Sequence, residues 1–143
     1  MSPLEAPLAD YPLRTYEKLR YADTDRQGHV NNAVFSTMLE TGRVELLYSP
    51  QEPLAEAACA FVIASLHLDF RGEITWPGTV EIGTRVARVG SSSLTLEQGL
   101  FQEGRCVANA QTVIVQMNEH TRRAHPLRPE TAQRLSALIP QAL

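Results

Sequence analysis

Three strand-length runs succeed one another in the second half of the chain with almost nothing between them. They cover Thr79 to Val89, Ser93 to Phe101 and Arg105 to Met117, broken only by Gly90-Ser91-Ser92 and by Gln102-Glu103-Gly104. A connection that short can turn a hairpin but cannot make the crossover a parallel pair needs, so neighbours must pair antiparallel. Trp76-Pro77-Gly78 is the turn signal ahead of the first run, and the last run is long enough to lie in the middle of a sheet. A further run, Phe61 to Phe70, alternates: Val62, Ala64, Leu66, Leu68 and Phe70 share one side while Ser65, His67 and Asp69 share the other. That period of two predicts a strand with one dry face.

One segment changes the period. Phe35, Met38, Leu39, Gly42 and Leu46 recur as one face of a helix, with Thr37, Glu40 and Thr41 elsewhere, and the segment stops near Ser49-Pro50. Asn31 and Asn32 stand before it as helix caps. Thr15 to Tyr21 is a weaker strand candidate, and residues 1–12, with Pro3, Pro7 and Pro12, read as an extended arm. Pro129 to Ile139 predicts a short helix with Pro129 in its first turn and Pro140 as its stop. The order strand, helix, four strands, short helix is that of one two-layer α+β domain over residues 1–143. A single long helix cannot cover five strands with two flanks, so leftover apolar surface or an unpaired edge should drive association with a second copy.

Composition narrows the function classes. Lys+Arg of 13 against Asp+Glu of 16 gives a net charge of −3, which argues against a dedicated nucleic-acid binder. The longest apolar run, Ala57 to Ala64, is far short of the roughly 20 residues of a membrane span, and the Met1-Ser2-Pro3-Leu4-Glu5 start has no signal-peptide character. The two cysteines, Cys59 and Cys106, lie in apolar surroundings and read as free buried thiols, so the expectation is a soluble chain of the reducing cytoplasm. No nucleophile elbow, dinucleotide loop, phosphate loop or paired-cysteine motif is present. His29, His67, His120 and His125 do not have metal-site spacing, and His67 reads as a polar-face or interface residue; no metal or cofactor is implied.

The densest polar stretch is Tyr21-Ala22-Asp23-Thr24-Asp25-Arg26-Gln27-Gly28-His29-Val30-Asn31-Asn32. A calcium loop beginning at Asp23 fails, because Val34 stands where a bidentate Glu is required. The plain reading is a turn that caps the following helix. The chemical reading is that helix N-terminal amides face Asp25, brought back by a Gly28 turn, with His29 and the Asn side chains nearby. Such an arrangement suits acyl transfer or hydrolysis, since those amides can hold a developing oxyanion.

Asp23-Thr24-Asp25-x-x-Gly28-His29-Val30-Asn31-Asn32, followed by Phe35, resembles the signature of hotdog-fold acyl-CoA thioesterases of the 4-hydroxybenzoyl-CoA thioesterase-like family. The His-Val-Asn-Asn portion is also similar to the acyl carrier protein thioesterases. Glu40-Thr41-x-Arg43-Val44-Glu45, Gly90-Ser91-Ser92-Ser93 and Ala124-His125-Pro126-Leu127-Arg128-Pro129 extend the likeness over nearly the whole chain. What the resemblance implies is a long central helix wrapped by a five-stranded antiparallel sheet, paired into a homodimer or homotetramer with active sites at the subunit interface. The family's catalytic carboxylate falls on Asp25, as nucleophile or general base, and its oxyanion donor on the backbone N–H of Asn32. His29, Asn31 and Asn32 match the motif too, their side chains either orienting water or holding the loop. Asp23 reads as a turn-stabilising acceptor. Glu40 and Glu45 sit on the helix where another hotdog subgroup places its catalytic Glu, a minor alternative beside Asp25.

Phe35 and Met38 are the acyl-pocket candidates, although apolar residues at helical spacing also serve as core. Arg88, Ser91, Ser92 and Ser93 surround the turn where family members approach coenzyme A, and the hydroxyls and guanidinium there suit phosphate. Arg122, Arg123, Arg128 and Arg134 form a basic stretch that suits coenzyme A phosphates or an acidic carrier protein, or is solvated surface. The leading expectation is therefore acyl-CoA hydrolysis, of a fatty or aromatic acyl group. Its rivals are a binding module that holds acyl-CoA without cleaving it, an acyl carrier protein thioesterase, and a hotdog hydratase, whose longer motif is absent.

Overall fold

The hairpins expected from the short turns are present. The computed structural model describes residues 6–140, with β1 at Leu13–Lys18, α1 at Asn32–Leu47, β2 at Cys59–Phe70, β3 at Thr79–Val89, β4 at Ser93–Gln102, β5 at Arg105–Asn118 and α2 at Pro129–Ser136. The strands form one antiparallel sheet in the order β1-β3-β4-β5-β2. This is the hotdog arrangement: a long helix against a curved sheet, closed by a short C-terminal helix. The chain leaves the β2 edge and returns to β3 through residues 71–78, pinned where the Arg71 and Gly72 N–H groups donate to the Val107 carbonyl.

Helix α1 lies over β1, β3 and β4. Phe35, Met38 and Leu39 pack with Val80, Ile82, Leu100 and Val107, while Leu47, Leu54, Val86, Leu96, Leu127 and Leu135 form a second cluster beneath α2. Gly42 permits the closest approach, since a β-carbon there would lie 2.7 Å from Gln98 Nε2. Arg43 is buried alongside, an outcome the apolar periodicity did not reveal. Its Nη1 donates to Gln98 Oε1 at 3.5 Å, and burial lowers its pKa against the pull of Glu40.

Two expectations are corrected. The arm over residues 1–12 is not simply extended: within its described part, Leu8–Asp10 make a 3-10 turn that delivers Tyr11, fully buried, to the outer face of the sheet. The Tyr11 ring covers Gly83 and Gly99, meets Phe101 edge-on at 6.1 Å and lies under the Arg85 guanidinium at 4.9 Å. Strand β2 does not have a dry face. A bulge between Ile63 and Ser65 leaves Ala64 unpaired and switches the sides, so that Ile63 before it and Leu66 after it both stand beside buried β5 residues, Ile114 and Thr112. Because α1 covers the other half of the sheet, Ile63, Leu66 and Phe70 remain exposed and β2 is an open edge.

The remaining boundaries differ slightly. The first strand ends at Lys18 rather than Tyr21, and α2 ends at Ser136 rather than Ile139. Cys59 is buried and Cys106 half-buried, and neither is in a disulfide among the described residues. Among the described residues no helix is long and apolar enough to cross a membrane, and no group of three or more His, Cys, Asp or Glu could hold a metal ion.

Candidate active site

The loop before α1 is built around Asp23. Its buried carboxylate accepts the Arg20 backbone N–H at 2.9 Å and the Arg20 guanidinium at 2.8 and 3.2 Å. The Arg20 hydrogen bonds hold its pKa below the ordinary carboxylate range against the opposing effect of burial. The Asp23 carbonyl then receives the Asn31 N–H, while the Val30 N–H donates to Ile74, so both ends of the loop are fixed. Gly28, at φ +81°, makes the turn between.

That turn aims Asp25 and α1 at one cleft. Asp25 Oδ1 accepts the N–H groups of Gln27, at 2.8 Å, and His29, at 3.2 Å; Oδ2 makes no hydrogen bond among the described residues. At the helix start, the Asn31 side chain caps the Ala33 N–H and the Asn31 carbonyl takes the Val34 N–H. The Asn32 N–H has no such partner among the described residues, and it is the first-turn donor that remains for a ligand. The cleft, about 420 Å³, is lined by Asp25, Gln27, His29, Asn32, Phe35 and Phe70 among others. Phe35 meets Phe70 edge-to-face at 5.0 Å, which gives the cleft an apolar wall opposite its polar one. His29 Nε2 lies 3.1 Å from Glu73 Oε2.

Half of the sequence-derived candidates meet here: Asp25, His29, Asn32 and Phe35 line the cleft, and Asn31 caps its helix. Met38 does not line it; one turn further along α1, it lies in the core cluster that Phe35 also joins. Arg88 and the Ser91–Ser93 turn lie at the other end of the sheet. Phe70 stands level with Ala108 and Leu100, and Ser93 is seven residues further along β4, roughly 23 Å at the usual strand rise. Within one chain they belong to another surface, with Ser91 and Ser92 carbonyls bonded to Leu127 and Gln116. His67 is exposed, 3.2 Å from Asp69. In the basic stretch, Arg128 pairs with Glu56 and Arg134 with Glu52. Phe70 and Glu73 join the site from the far end of β2, a tertiary contact that no local pattern announces.

A second groove, about 470 Å³, lies on the other flank of α1, where Leu46, Leu54, Ile82, Leu135 and Leu138 line it. It is larger and more apolar, but no helix N-terminus opens into it, and Glu45 there is engaged by the Thr15 hydroxyl at 3.1 Å. Glu40 is exposed on α1. The smaller cleft is the one that joins a carboxylate to a spare amide donor.

Comparison with known proteins establishes the family and the fold. The model of the thioesterase-like superfamily matches residues 19–135. Among solved structures, a thioesterase from Thermus thermophilus complexed with coenzyme A and Zn is 32% identical, with a TM-score of 0.79 over 94% of this chain and 98% of its own. The PA5185 protein from Pseudomonas aeruginosa is 26% identical, with a TM-score of 0.82 over 96% and 98%. The DHNA-CoA thioesterase of Staphylococcus aureus, 20% identical with a TM-score of 0.77 over 87% and 91%, attests the fold. No curated protein sequence matches the chain.

Proposed function

The chain belongs to the thioesterase-like superfamily and is a thioester hydrolase; from that premise we propose that it hydrolyses an acyl-CoA, fatty or aromatic, to the free acid and coenzyme A at the Asp25 cleft. The observation that carries this reading is the pairing of the Asp25 carboxylate with the unpartnered Asn32 N–H at the start of α1. With the thioester oxygen on that N–H, the carbonyl is polarised and the oxyanion of the tetrahedral intermediate is held where it forms. Asp25 acts on the carbonyl carbon in one of two ways. As general base it takes a proton from water, whose oxygen bonds to the carbon; collapse breaks the C–S bond and the thiolate leaves with a proton. As nucleophile its own oxygen makes that bond, collapse breaks the C–S bond and expels the thiolate to leave a mixed anhydride, and water then cleaves that anhydride. After a single turnover in oxygen-18 water, label in the Asp25 carboxylate identifies the second route.

The neighbours have defined parts in this reading. Asn31 holds the helix start, His29, braced by Glu73, orients water or the loop, and Phe35 with Phe70 takes the proximal acyl group. Met38 supports Phe35 from behind rather than touching substrate. The open β2 edge, with Ile63, Leu66 and Phe70 exposed, supports a homodimer, or a homotetramer built from it. A second copy could then bring its own Arg88 and Ser91–Ser93 turn towards the cleft. Two cysteines outside any disulfide fit a reducing compartment, the cytoplasm. The exposed pair Arg122 and Arg123 favours one alternative thioester, that of an acidic carrier protein.

Thiol release from short, medium, long and aromatic acyl-CoAs, read with a thiol reagent against a no-substrate blank for Cys59 and Cys106, tests the proposal. Turnover with at least one acyl-CoA is expected. Release from carrier-protein thioesters alone moves the assignment to that alternative, and binding of acyl-CoA without any release replaces it with a binding module.

A further inference from the structure

Two large aromatic rings stand in solvent beside the cleft. Tyr21 is 74% exposed and Trp76 is 44% exposed, and they meet edge-to-face with centroids 5.3 Å apart. Tryptophan is ordinarily among the most covered of side chains, so a pair of aromatics held in water at a site's margin asks for a ligand. Both are carried by backbone that the site itself fixes. Thr75, the residue before Trp76, pairs with His29, and Gln102 clamps it from both sides, Oε1 accepting its N–H at 3.1 Å and Nε2 donating to its carbonyl at 2.8 Å. Tyr21 opens the 3-10 turn that ends at Asp23, the anchor of the catalytic loop. The pair is thus preorganised relative to Asp25 and the start of α1.

Cations flank the pair along the same backbone. Lys18 ends β1, three residues before Tyr21, and Arg26 is on the exposed tip of the Asp25 loop; neither makes an ion pair among the described residues. Arg20, between Lys18 and Tyr21, is 77% exposed in its side chain but gives its charge to Asp23. Aromatic faces for stacking with free cations alongside make the chemical profile of a surface for a base and its phosphates. We infer that the Tyr21–Trp76 ledge holds the adenine ring of coenzyme A, with Lys18 and Arg26 taking its phosphates, on the same subunit as Asp25. This inference rests on the acyl-CoA reading, and its rival is an Arg88 and Ser91–Ser93 turn supplied by a second copy.

Trp76 is the only tryptophan in the chain, so tryptophan fluorescence, excited selectively over the tyrosines, reports the ledge alone. Titration of the whole protein with adenosine 3′,5′-bisphosphate, the nucleotide end of coenzyme A without any thioester, should change that fluorescence saturably. Tyr21→Leu should weaken the binding about tenfold, the effect of losing one stacked ring. A signal that does not saturate overturns the inference. In turnover, the ratio of kcat/KM for an acyl-CoA to that for the same acyl-pantetheine should exceed one in the unmodified protein and fall about tenfold in Tyr21→Leu or Trp76→Leu. A ratio near one in the unmodified protein, or one that collapses in Arg88→Ala but not in Trp76→Leu, overturns it as well. If neither thioester is hydrolysed the acyl-CoA reading fails, and the bisphosphate titration still decides the ledge. Both side chains are exposed, so their replacement leaves the core intact.

Discussion

Gly42→Ala adds one carbon at the tightest contact between helix and sheet. A β-carbon there would lie 2.7 Å from Gln98 Nε2, 2.8 Å from Thr84 Oγ1 and 2.9 Å from Ile82 Cγ2. These neighbours are not free to step aside: Gln98 Nε2 donates to the Leu39 carbonyl and to Thr84 Oγ1, each at 3.0 Å, and Ile82 is fully buried. At an exposed helix position the same change would stabilise by about 1 kcal/mol. Here overpacking costs about 1–3 kcal/mol, and pushing the Gln98 amide off its acceptors costs about 1–3 kcal/mol more. The net is a destabilisation centred near 3 kcal/mol, which in a chain of this size lowers Tm by roughly 10 °C. Urea and thermal unfolding followed by far-UV circular dichroism measure it directly. An unchanged or raised midpoint would refute the claim that α1 is seated on β3 and β4 without slack.

Three other perturbations follow from single contacts. Asp23 has a depressed pKa in the folded protein, so its contribution to stability is complete above the ordinary carboxylate pKa and lost as pH falls through the folded value. Asp23→Asn should therefore flatten the acid limb of stability below about pH 4 in urea titrations, and should lower turnover by loosening the Asp25 loop. Burial pushes the Tyr11 phenol up to about 12, and its hydroxyl has no hydrogen-bond partner among the described residues. A raised pKa means stability complete below pH 10 and lost as pH rises towards 12; Tyr11→Phe should remove that alkaline loss and cost nothing, or gain up to about 1 kcal/mol, at neutral pH. Ile63→Lys places a charge on the exposed face of the β2 edge, and light scattering should record a shift from the proposed dimer towards monomer.

What the sequence makes legible is what depends on near neighbours. The β3 boundaries and the Asn31 cap follow from periodicity and turn chemistry, and the Asp25 loop could be singled out because its chemistry lies within twelve residues, Tyr21 to Asn32. What stayed hidden depends on partners far along the chain. The alternation in Phe61–Phe70 suggests a dry face, but the bulge at Ala64 and the reach of α1 decide what water sees. Tyr11 looks like part of a loose arm until Gly83 and Gly99 supply its seat on two strands. Phe70 and Glu73 enter the site only through the fold, and the same fold separates the Ser91–Ser93 turn from Asp25 on one chain. Met38 lies on the same helical stripe as Phe35, so spacing could not tell the residue that faces the cleft from the one behind it.

The most direct test compares turnover by Asp25→Asn and by the unmodified protein on the best acyl-CoA substrate, with unfolding midpoints measured on both. Asn keeps the Oδ1 acceptor for the Gln27 and His29 amides, so the loop and the midpoint should hold. The carboxylate is lost, and kcat should fall by about 10²–10⁴-fold. Near-normal turnover in a folded Asp25→Asn protein would contradict the assignment of the chemistry to this cleft.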